Sequence, residues 1–388
     1  MDFSPSEEQE MLADTVAKFV ARNYDAGKRR ALSESTLGFK EENWALLGEL
    51  GLLGLLLPEE VGGMGGSPTD AMIVMIELGR GRVLEPYVSS ALVCASLVRQ
   101  LAGTGRHTGL LADVASGKRR LALAAIEPHT RYDLLDIRTT AIAEAGSFRI
   151  SGSKSVVLDG PSADFFLITA TVDGGEGITM FVLPRGHAGV ELRAFTTIDG
   201  GRCADLVLHD VVLGAADMLG PVSGASESLR AAVDLGIAAL CAEAVGAMEE
   251  LCRMTADYLR TRKQFKQPLA SFQALQHRYA DMMIAVEQCR SAAYIAAAGV
   301  AGSDTPERER SVAAAKYLVG KAARLVGQSA VQLHGGIGMT DELPVGDYFK
   351  RLSCIDLTWG DSDYQLSRFS ALMAGPSTSN SQGANTWT

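Results

Sequence analysis

Three side chains in the last third of the chain have the chemistry to bind a nucleotide. Within residues 258–281 a helical pattern breaks near Pro268 and then restarts, which leaves Arg262, Gln264 and Phe265 at an exposed end. A guanidinium can hold a pyrophosphate through paired hydrogen bonds, and an amide and an aromatic ring can contact an adenine. The segment therefore predicts one half of a site for a dinucleotide.

A second stretch, residues 332–340, ends a helix in a cluster of glycines. It begins with Gln332 and continues through His334 to Gly335 and Gly336. Because glycine has no Cβ, a planar group can approach this backbone closely. The six histidines of the chain show no clustered spacing of metal ligands, so we predict no metal site.

The composition limits the classes of partner. The chain has 388 residues, 47% of them hydrophobic, a net charge of −10 and a pI near 5.2. This balance favours a globular protein and argues against a nucleic-acid partner, which would need a basic surface. No apolar run approaches the ~20 residues of a membrane span, and the first residues do not resemble a signal peptide. The six cysteines have no Cys-x-x-Cys spacing, which favours buried free thiols and a cytoplasmic location.

The hydrophobic periodicity divides the chain into three domains and predicts an α+β fold. Residues 1–119 have a helical period, 120–222 a period typical of short strands, and 223–375 the pattern of long helices in a bundle. We expect strands at 121–126, 138–143, 148–150, 165–171, 178–183 and 205–212. The stretch 376–388 is rich in Ser, Asn, Gly and Thr, which predicts a disordered tail.

The two C-terminal segments together resemble the acyl-CoA dehydrogenase family, in which they hold the ADP half of FAD. The resemblance covers nearly the whole chain and implies an N-terminal helical domain, a central β-barrel or sandwich and a C-terminal four-helix bundle. It also implies the oxidation of an acyl-CoA thioester to the 2,3-enoyl-CoA, with electron-transfer flavoprotein as the electron acceptor. The cofactor-binding residues that it implies are Arg262, Gln264, Phe265, Gln273, Gln332, Gly335 and Gly336.

The catalytic base of the family has no match here. The family's Glu position falls on Trp359, whose indole has no basic site, so the catalytic residue is unknown. Asp361 is the nearest carboxylate, and we favour a helix cap over a base for it. A second base position found in some members falls on Gly236. Asp234, two residues away, is expected to be solvated.

The central domain also departs from the family where the side chains would contact the flavin ring. Ile126 and Leu158 stand where the family has Thr, and Val156 stands where it has Trp. These side chains cannot donate hydrogen bonds to a flavin, although backbone N–H groups at the same positions can. Lys154 is predicted to be a turn residue between strands.

The residues that match the family and the residues that depart from it would serve different subunits. In dimers of the family the Arg, Phe, Gln and Gly-Gly groups reach the neighbour's FAD, whereas the altered positions serve the subunit's own flavin. We therefore expect a subunit of a hetero- or homo-oligomer, a dimer or tetramer, that completes the FAD site of a second acyl-CoA dehydrogenase-like subunit, as in enzymes for steroid side chains. The alternatives are a self-sufficient dehydrogenase that uses a carboxylate such as Asp361, a nitroalkane-type flavin oxidase, and a helical interaction protein without catalysis.

Overall fold

The computed structural model of the protein describes residues 5–102 and 107–374. Its first helices are α1 (Glu7–Asn23), α2 (Ala26–Glu34), α3 (Glu41–Glu49), α4 (Pro68–Gly81), α5 (Ala95–Leu101) and α6 (Thr108–Ala115). A π-helical segment, Tyr87–Cys94, leads directly into α5. Helix α1 begins where its sequence specifies a start, because Ser6 and Gln9 cap one another reciprocally in a capping box.

The central domain is a mixed β-sheet. Its strands are β1 (Leu121–Ala124), β2 (Thr140–Glu144), β3 (Ser147–Leu158), β4 (Phe165–Val172), β5 (Thr179–Pro184), β6 (Val190–Thr196), β7 (Arg202–Gly214) and β8 (Met218–Leu219). The strand order is β6-β7-β3-β2-β4-β5-β8, and β1 pairs with β4 in parallel. A core of its own, which includes Phe166, Phe181 and Ile150, fills the inner face of the sheet.

The C-terminal domain is built from long helices. They are α7 (Ser226–Thr261), α8 (Gln273–Ala301), α9 (Thr305–His334), α10 (Val345–Leu357) and α11 (Ser362–Ala374). A short hairpin, β9 (Lys263–Gln264) and β10 (Gln267–Pro268), joins α7 to α8. Among the described residues α7 alone has the length and apolar composition of a membrane span, but 94% of its most apolar window is buried inside the protein. It is the central helix of the bundle.

Helices α4 and α7 approach each other through glycines. A Cβ added to Gly246 would lie 1.8 Å from the Ile76 carbonyl oxygen, and one added to Gly79 would lie 2.1 Å from the Glu243 carbonyl oxygen. Only hydrogen fits at these positions, so the two backbones are in direct contact. The N-terminal helices and the bundle therefore share one continuous hydrophobic core.

The predicted α+β class and the order of helical, sheet and helical regions are confirmed. The domain boundaries at 119, 222 and 375 stay a proposal, and the tail predicted at 376–388 lies outside the described residues. The cysteines are free as predicted, and all of them except the half-buried Cys354 are buried. The prediction for Lys154 is wrong. This lysine is fully buried inside β3, where its Nζ lies 2.7 Å from Oε1 of Glu127.

Candidate functional site

The end of α7 carries the first predicted nucleotide-binding group. Arg262 follows the last helical residue and accepts a backbone hydrogen bond from Leu269, which fixes the hairpin against the helix end. Phe265 and Lys266 form the turn of the hairpin, with left-handed φ values of 53° and 66°. This turn holds the ring of Phe265 outward, 84% exposed, with an edge contact to Phe272 at 6.0 Å between ring centroids.

The end of α9 carries the second group and lies beside the first. The ring of His334 stacks on Tyr258 of α7 with centroids 4.5 Å apart, which holds the two helix ends together. Gly335 has φ 65° and ψ −147°, a conformation open to glycine only. A Cβ at Gly335 or Gly336 would meet no atom within 4 Å, so the backbone there is open to a planar ligand.

We name this surface the ledge. Its predicted residues, all exposed, are Arg262, Gln264, Phe265, Gln273, Gln332, Gly335 and Gly336. Exposed Arg260, Lys263 and Lys266 add positive charge to it, although the chain as a whole is acidic. The cations, the exposed ring and the open glycine backbone have the chemistry that the ADP half of FAD requires. The assignment of the individual residues to that cofactor remains a proposal.

Trp359, which stands where the resemblance puts the family's Glu, is a buried side chain in this structure. It follows the end of α10 in a left-handed conformation, φ 54°, and its side chain is 9% exposed. Its indole packs on Gly236 of α7, because a Cβ built on that glycine would lie 2.5 Å from Cζ3 of the ring and 2.7 Å from Val93. The two positions that the resemblance assigns to the family's base therefore face each other here, and the indole packs between them.

Buried polar groups hold Trp359 in place. The Nζ of Lys316 donates to the carbonyls of Ile355, Asp356 and Thr358 at the end of α10, and burial lowers the pKa of this amine to about 8. The Trp359 carbonyl accepts a 3.0 Å hydrogen bond from the amide of Gln365. Main-chain and side-chain contacts thus fix the turn on both sides.

Asp361 caps helix α11. Its Oδ1 accepts a 2.9 Å hydrogen bond from the backbone N–H of Tyr364, as expected for an N-cap. Its Oδ2 lies 3.3 Å from the Tyr132 hydroxyl and 3.5 Å from the Arg131 guanidinium. The carboxylate is therefore engaged in holding a loop of the sheet domain against α11.

The substituted flavin-contact positions surround very little enclosed space. Ile126, Val156 and Leu158 line a cavity of about 10 Å³ with Trp359 and Leu134. A space of that size holds about one water molecule and no ring system. The outer face of Val156 is exposed. The ledge has groups suited to the nucleotide half of FAD, whereas the enclosed space beside Trp359 is too small to hold its ring.

Asp234 is not solvated, and that prediction is wrong. It is buried, with its carboxylate 3.0 Å from Arg308 and 2.9 Å from Arg368. This ion cluster forms one wall of a cavity of about 240 Å³ that also reaches Arg230 and Trp359. No local pattern indicates these pairs, because the arginines come from distant helices.

A third cavity, of about 100 Å³, lies on another side of Trp359 and is rich in charged groups. Arg351 of α10 donates to both carboxylate oxygens of Glu243 and, over 2.9 Å, to Asp199. Asp159 accepts a hydrogen bond from Ser89, and burial raises the pKa of its carboxyl to about 6. We call this space the polar cavity. Sequence reasoning singled out none of the charged residues that line it.

Three family models cover most of the chain. They are the N-terminal, middle and C-terminal domains of acyl-CoA dehydrogenase, matched by residues 6–118, 122–211 and 227–373. The chain is 30% identical to acyl-CoA dehydrogenase IpdE2 of Mycolicibacterium smegmatis over 367 residues, which is 94% of this chain and 99% of that protein.

Solved structures have the same fold. The ChsE4-ChsE5 complex from Mycobacterium tuberculosis is similar with a TM-score of 0.88 and 28% identity, over 97% of this chain and 100% of the matched one. A variant of the Tcur3481-Tcur3483 steroid ACAD is similar with a TM-score of 0.86 and 28% identity, over 95% of this chain and 98% of the matched one.

Proposed function

Because the chain belongs to the acyl-CoA dehydrogenase family of FAD-dependent oxidoreductases, we propose that it is the FAD-completing subunit of a heteromeric acyl-CoA dehydrogenase. Enzymes of this family act on a CH–CH bond. In the proposed assembly a partner subunit supplies the base and the flavin-ring pocket, and the substrate becomes a 2,3-enoyl-CoA. When bound, FAD supplies the hydride acceptor for this oxidation.

One contrast within the chain carries the proposal. The ledge is complete and exposed, whereas the indole of Trp359 fills the space beside Gly236 where a base would stand. A subunit that catalysed the reaction by itself would need a carboxylate within hydrogen-bond reach of the substrate α-proton. Neither base position of the family provides one here, so the intact ledge is best explained by service to a neighbouring subunit.

The ledge residues have distinct parts in this role. Arg262 would pair with the pyrophosphate through its planar guanidinium, and Phe265 would cover the adenine. Gln264, Gln273 and Gln332 would donate and accept hydrogen bonds, since each amide has both donors and acceptors. The open backbone at Gly335 and Gly336 would let the nucleotide lie flat against the chain.

Apolar side chains on α8 and α9 support assembly with another subunit. Met283, Ile284 and Ile295 of α8 are exposed, as are Leu318 and Leu325 of α9. Large exposed apolar side chains on two helices that pack together are compatible with a protein–protein contact. We propose a second acyl-CoA dehydrogenase-like chain as the partner, in a dimer or tetramer.

The related structures suggest the substrate class. One of them is named a steroid ACAD, and another is a complex of two differently named chains. We therefore propose a steroid side-chain acyl-CoA as the substrate, electron-transfer flavoprotein as the electron acceptor and the cytoplasm as the location.

Co-purification from the native source, with a count of flavins per subunit, tests the proposal directly. We expect a complex of two different chains in which the isolated chain alone carries little FAD. Replacing Arg262 by Ala in this chain should lower the flavin content of the complex, because the partner's cofactor loses its pyrophosphate contact. Arg253→Ala is the matched control, since Arg253 is also exposed on α7 but lies away from the ledge.

Two outcomes would contradict the proposal. A stoichiometric flavin spectrum from the lone chain, bleached anaerobically by an acyl-CoA, would identify a self-sufficient dehydrogenase with an unmatched base such as Asp361. Oxygen consumption with a nitroalkane would identify a flavin oxidase.

A further inference from the structure

The charged groups of the polar cavity are arranged around an open space and do not form a closed cluster. Those that line it are Arg29, Glu85, Asp159, Asp199, Glu243 and Arg351. Side chains of Met75, Leu78 and Leu240 add apolar surface to the wall. A space of about 100 Å³ has room for several water molecules, or for a small polar group.

Arg351 retains hydrogen-bonding capacity toward this space. A guanidinium has five N–H donors, and three hydrogen bonds, to Glu243 and Asp199, account for part of them. The side chain of Arg351 remains 24% exposed, whereas those of Asp199 and Glu243 are 3% and 5% exposed. Of the three ion-paired side chains, Arg351 is therefore the one that remains accessible. The polar cavity is the open space that Arg351 lines.

Asp159 supplies an acceptor in the same wall. One of its oxygens accepts a hydrogen bond from the Ser89 hydroxyl, which fixes the direction of the carboxyl. Leu158, the preceding residue, borders both this cavity and the small space beside Trp359. The polar cavity thus borders the small space beside Trp359.

The charge balance selects the kind of group that fits. The two arginines of the lining face four carboxyl groups, so another anion would be repelled, and an alkyl end would remove water from these groups without giving them a hydrogen bond in return. A hydroxyl can accept from Arg351 and donate to Asp159 at the same time. We propose that the polar cavity binds the hydroxyl-bearing end of an acyl chain, with Asp159 and Arg351 as its specificity-determining residues.

The proposal rests on the acyl-CoA chemistry of the proposed function but not on the partner-completing role. It concerns binding by this chain, whether or not this chain carries out the oxidation. A set of ω-hydroxyacyl-CoA thioesters and their methyl-terminated counterparts of equal length are the probes. Their dissociation constants are measured by calorimetry with the lone chain and with the native complex.

We expect the best hydroxylated thioester to bind about tenfold more tightly than its methyl counterpart, as a hydrogen bond to a charged group implies. Asp159→Asn should reduce that preference to about threefold or less, because the carboxylate acceptor is lost. Arg351→Lys, which keeps the positive charge but loses the paired N–H donors of the guanidinium, should also reduce the preference for the hydroxylated thioester. Asp210→Asn, an equivalent change at an aspartate on β7 that bonds Ser151, should leave the preference unchanged.

Equal affinity for the two kinds of thioester, or no binding of either, would overturn the inference. A preference that survives both Asp159→Asn and Arg351→Lys in chains with normal circular dichroism would overturn it as well. The flavin content of each preparation separates this result from the proposed function. A lone chain with full FAD but no hydroxyl preference refutes both, whereas a flavin-poor chain without the preference refutes only the inference.

Discussion

The contact between Trp359 and Gly236 predicts a reversal in the effect of one mutation. In the wild-type chain Gly236→Ala places a methyl group 2.5 Å from the indole and 2.7 Å from Val93. Overpacking of this kind costs about 1–3 kcal/mol, and the higher helix propensity of alanine offsets about 1 kcal/mol of it. Trp359→Ala alone should cost about 3–5 kcal/mol, as large-to-small changes of buried aromatic residues do.

Once the indole is absent, the Val93 methyl group that would still lie 2.7 Å from the added methyl can shift into the vacated space. We expect Gly236→Ala to be neutral or stabilising in the Trp359→Ala background, which gives a coupling free energy of about 1–3 kcal/mol between the two changes. The four proteins are compared by urea unfolding followed by circular dichroism, with the free energy of unfolding taken from the midpoint and slope.

Trp44→Ala is the matched control. Trp44 is also buried, but its indole donates to the Gly117 carbonyl at a different place. The changes in the free energy of unfolding caused by Trp44→Ala and by Gly236→Ala should add to within about 0.5 kcal/mol in the double variant. Equal additivity for Trp359 would refute the claim that its ring fills the space beside the glycine.

Three further predictions concern buried charged groups. Lys316→Met should destabilise the chain by several kcal/mol, because three carbonyls at the end of α10 lose their hydrogen-bond donor. The same change should shift the fluorescence of Trp359, and an unchanged emission spectrum would contradict the role assigned to the lysine. Burial raises the folded-state pKa of Asp159 to about 6, so the folded chain holds a proton there that the unfolded chain has already lost. The wild-type chain should therefore lose stability relative to Asp159→Asn as the pH rises from about 4 to about 6, and the difference in the free energy of unfolding should be constant above that range. Thermal melts across this pH range check the sign. Lys154→Met should cost about 3–5 kcal/mol by leaving Glu127 buried without its cation, and the double change with Glu127→Gln should recover part of that loss in urea unfolding.

The sequence predicted most of the regular structure because the hydrophobic period changes clearly at each end of the sheet domain. Strand β6, Val190–Thr196, was missed. It is an exposed edge strand in which Glu191 and Arg193 alternate with Val190, Leu192 and Ala194, a period-two signal only five residues long. An edge strand buries little, so its residues carry a weaker signal than those of central strands.

The sequence predicted the parts of the site that are built from residues close together in the chain. It did not predict the parts that depend on ion pairs between residues far apart in the chain. The ledge follows from a helix break and a glycine cluster, both of which are local patterns. Asp234 is buried because Arg308 and Arg368 neutralise it, and those partners lie 74 and 134 residues further along the chain. Ion pairs of this separation have no signature in a single sequence, which explains why the polar cavity was missed as well.

The glycine contact between α4 and α7 restricts how the molecule can respond to a ligand. With backbone resting on backbone at Gly79 and Gly246, neither helix can rotate or slide without a collision of main-chain atoms. Helices α4 and α7 are consequently expected to move together wherever they move. Movement is easier at the loop bearing Tyr132, because that loop is held against α11 by side-chain contacts that water can replace.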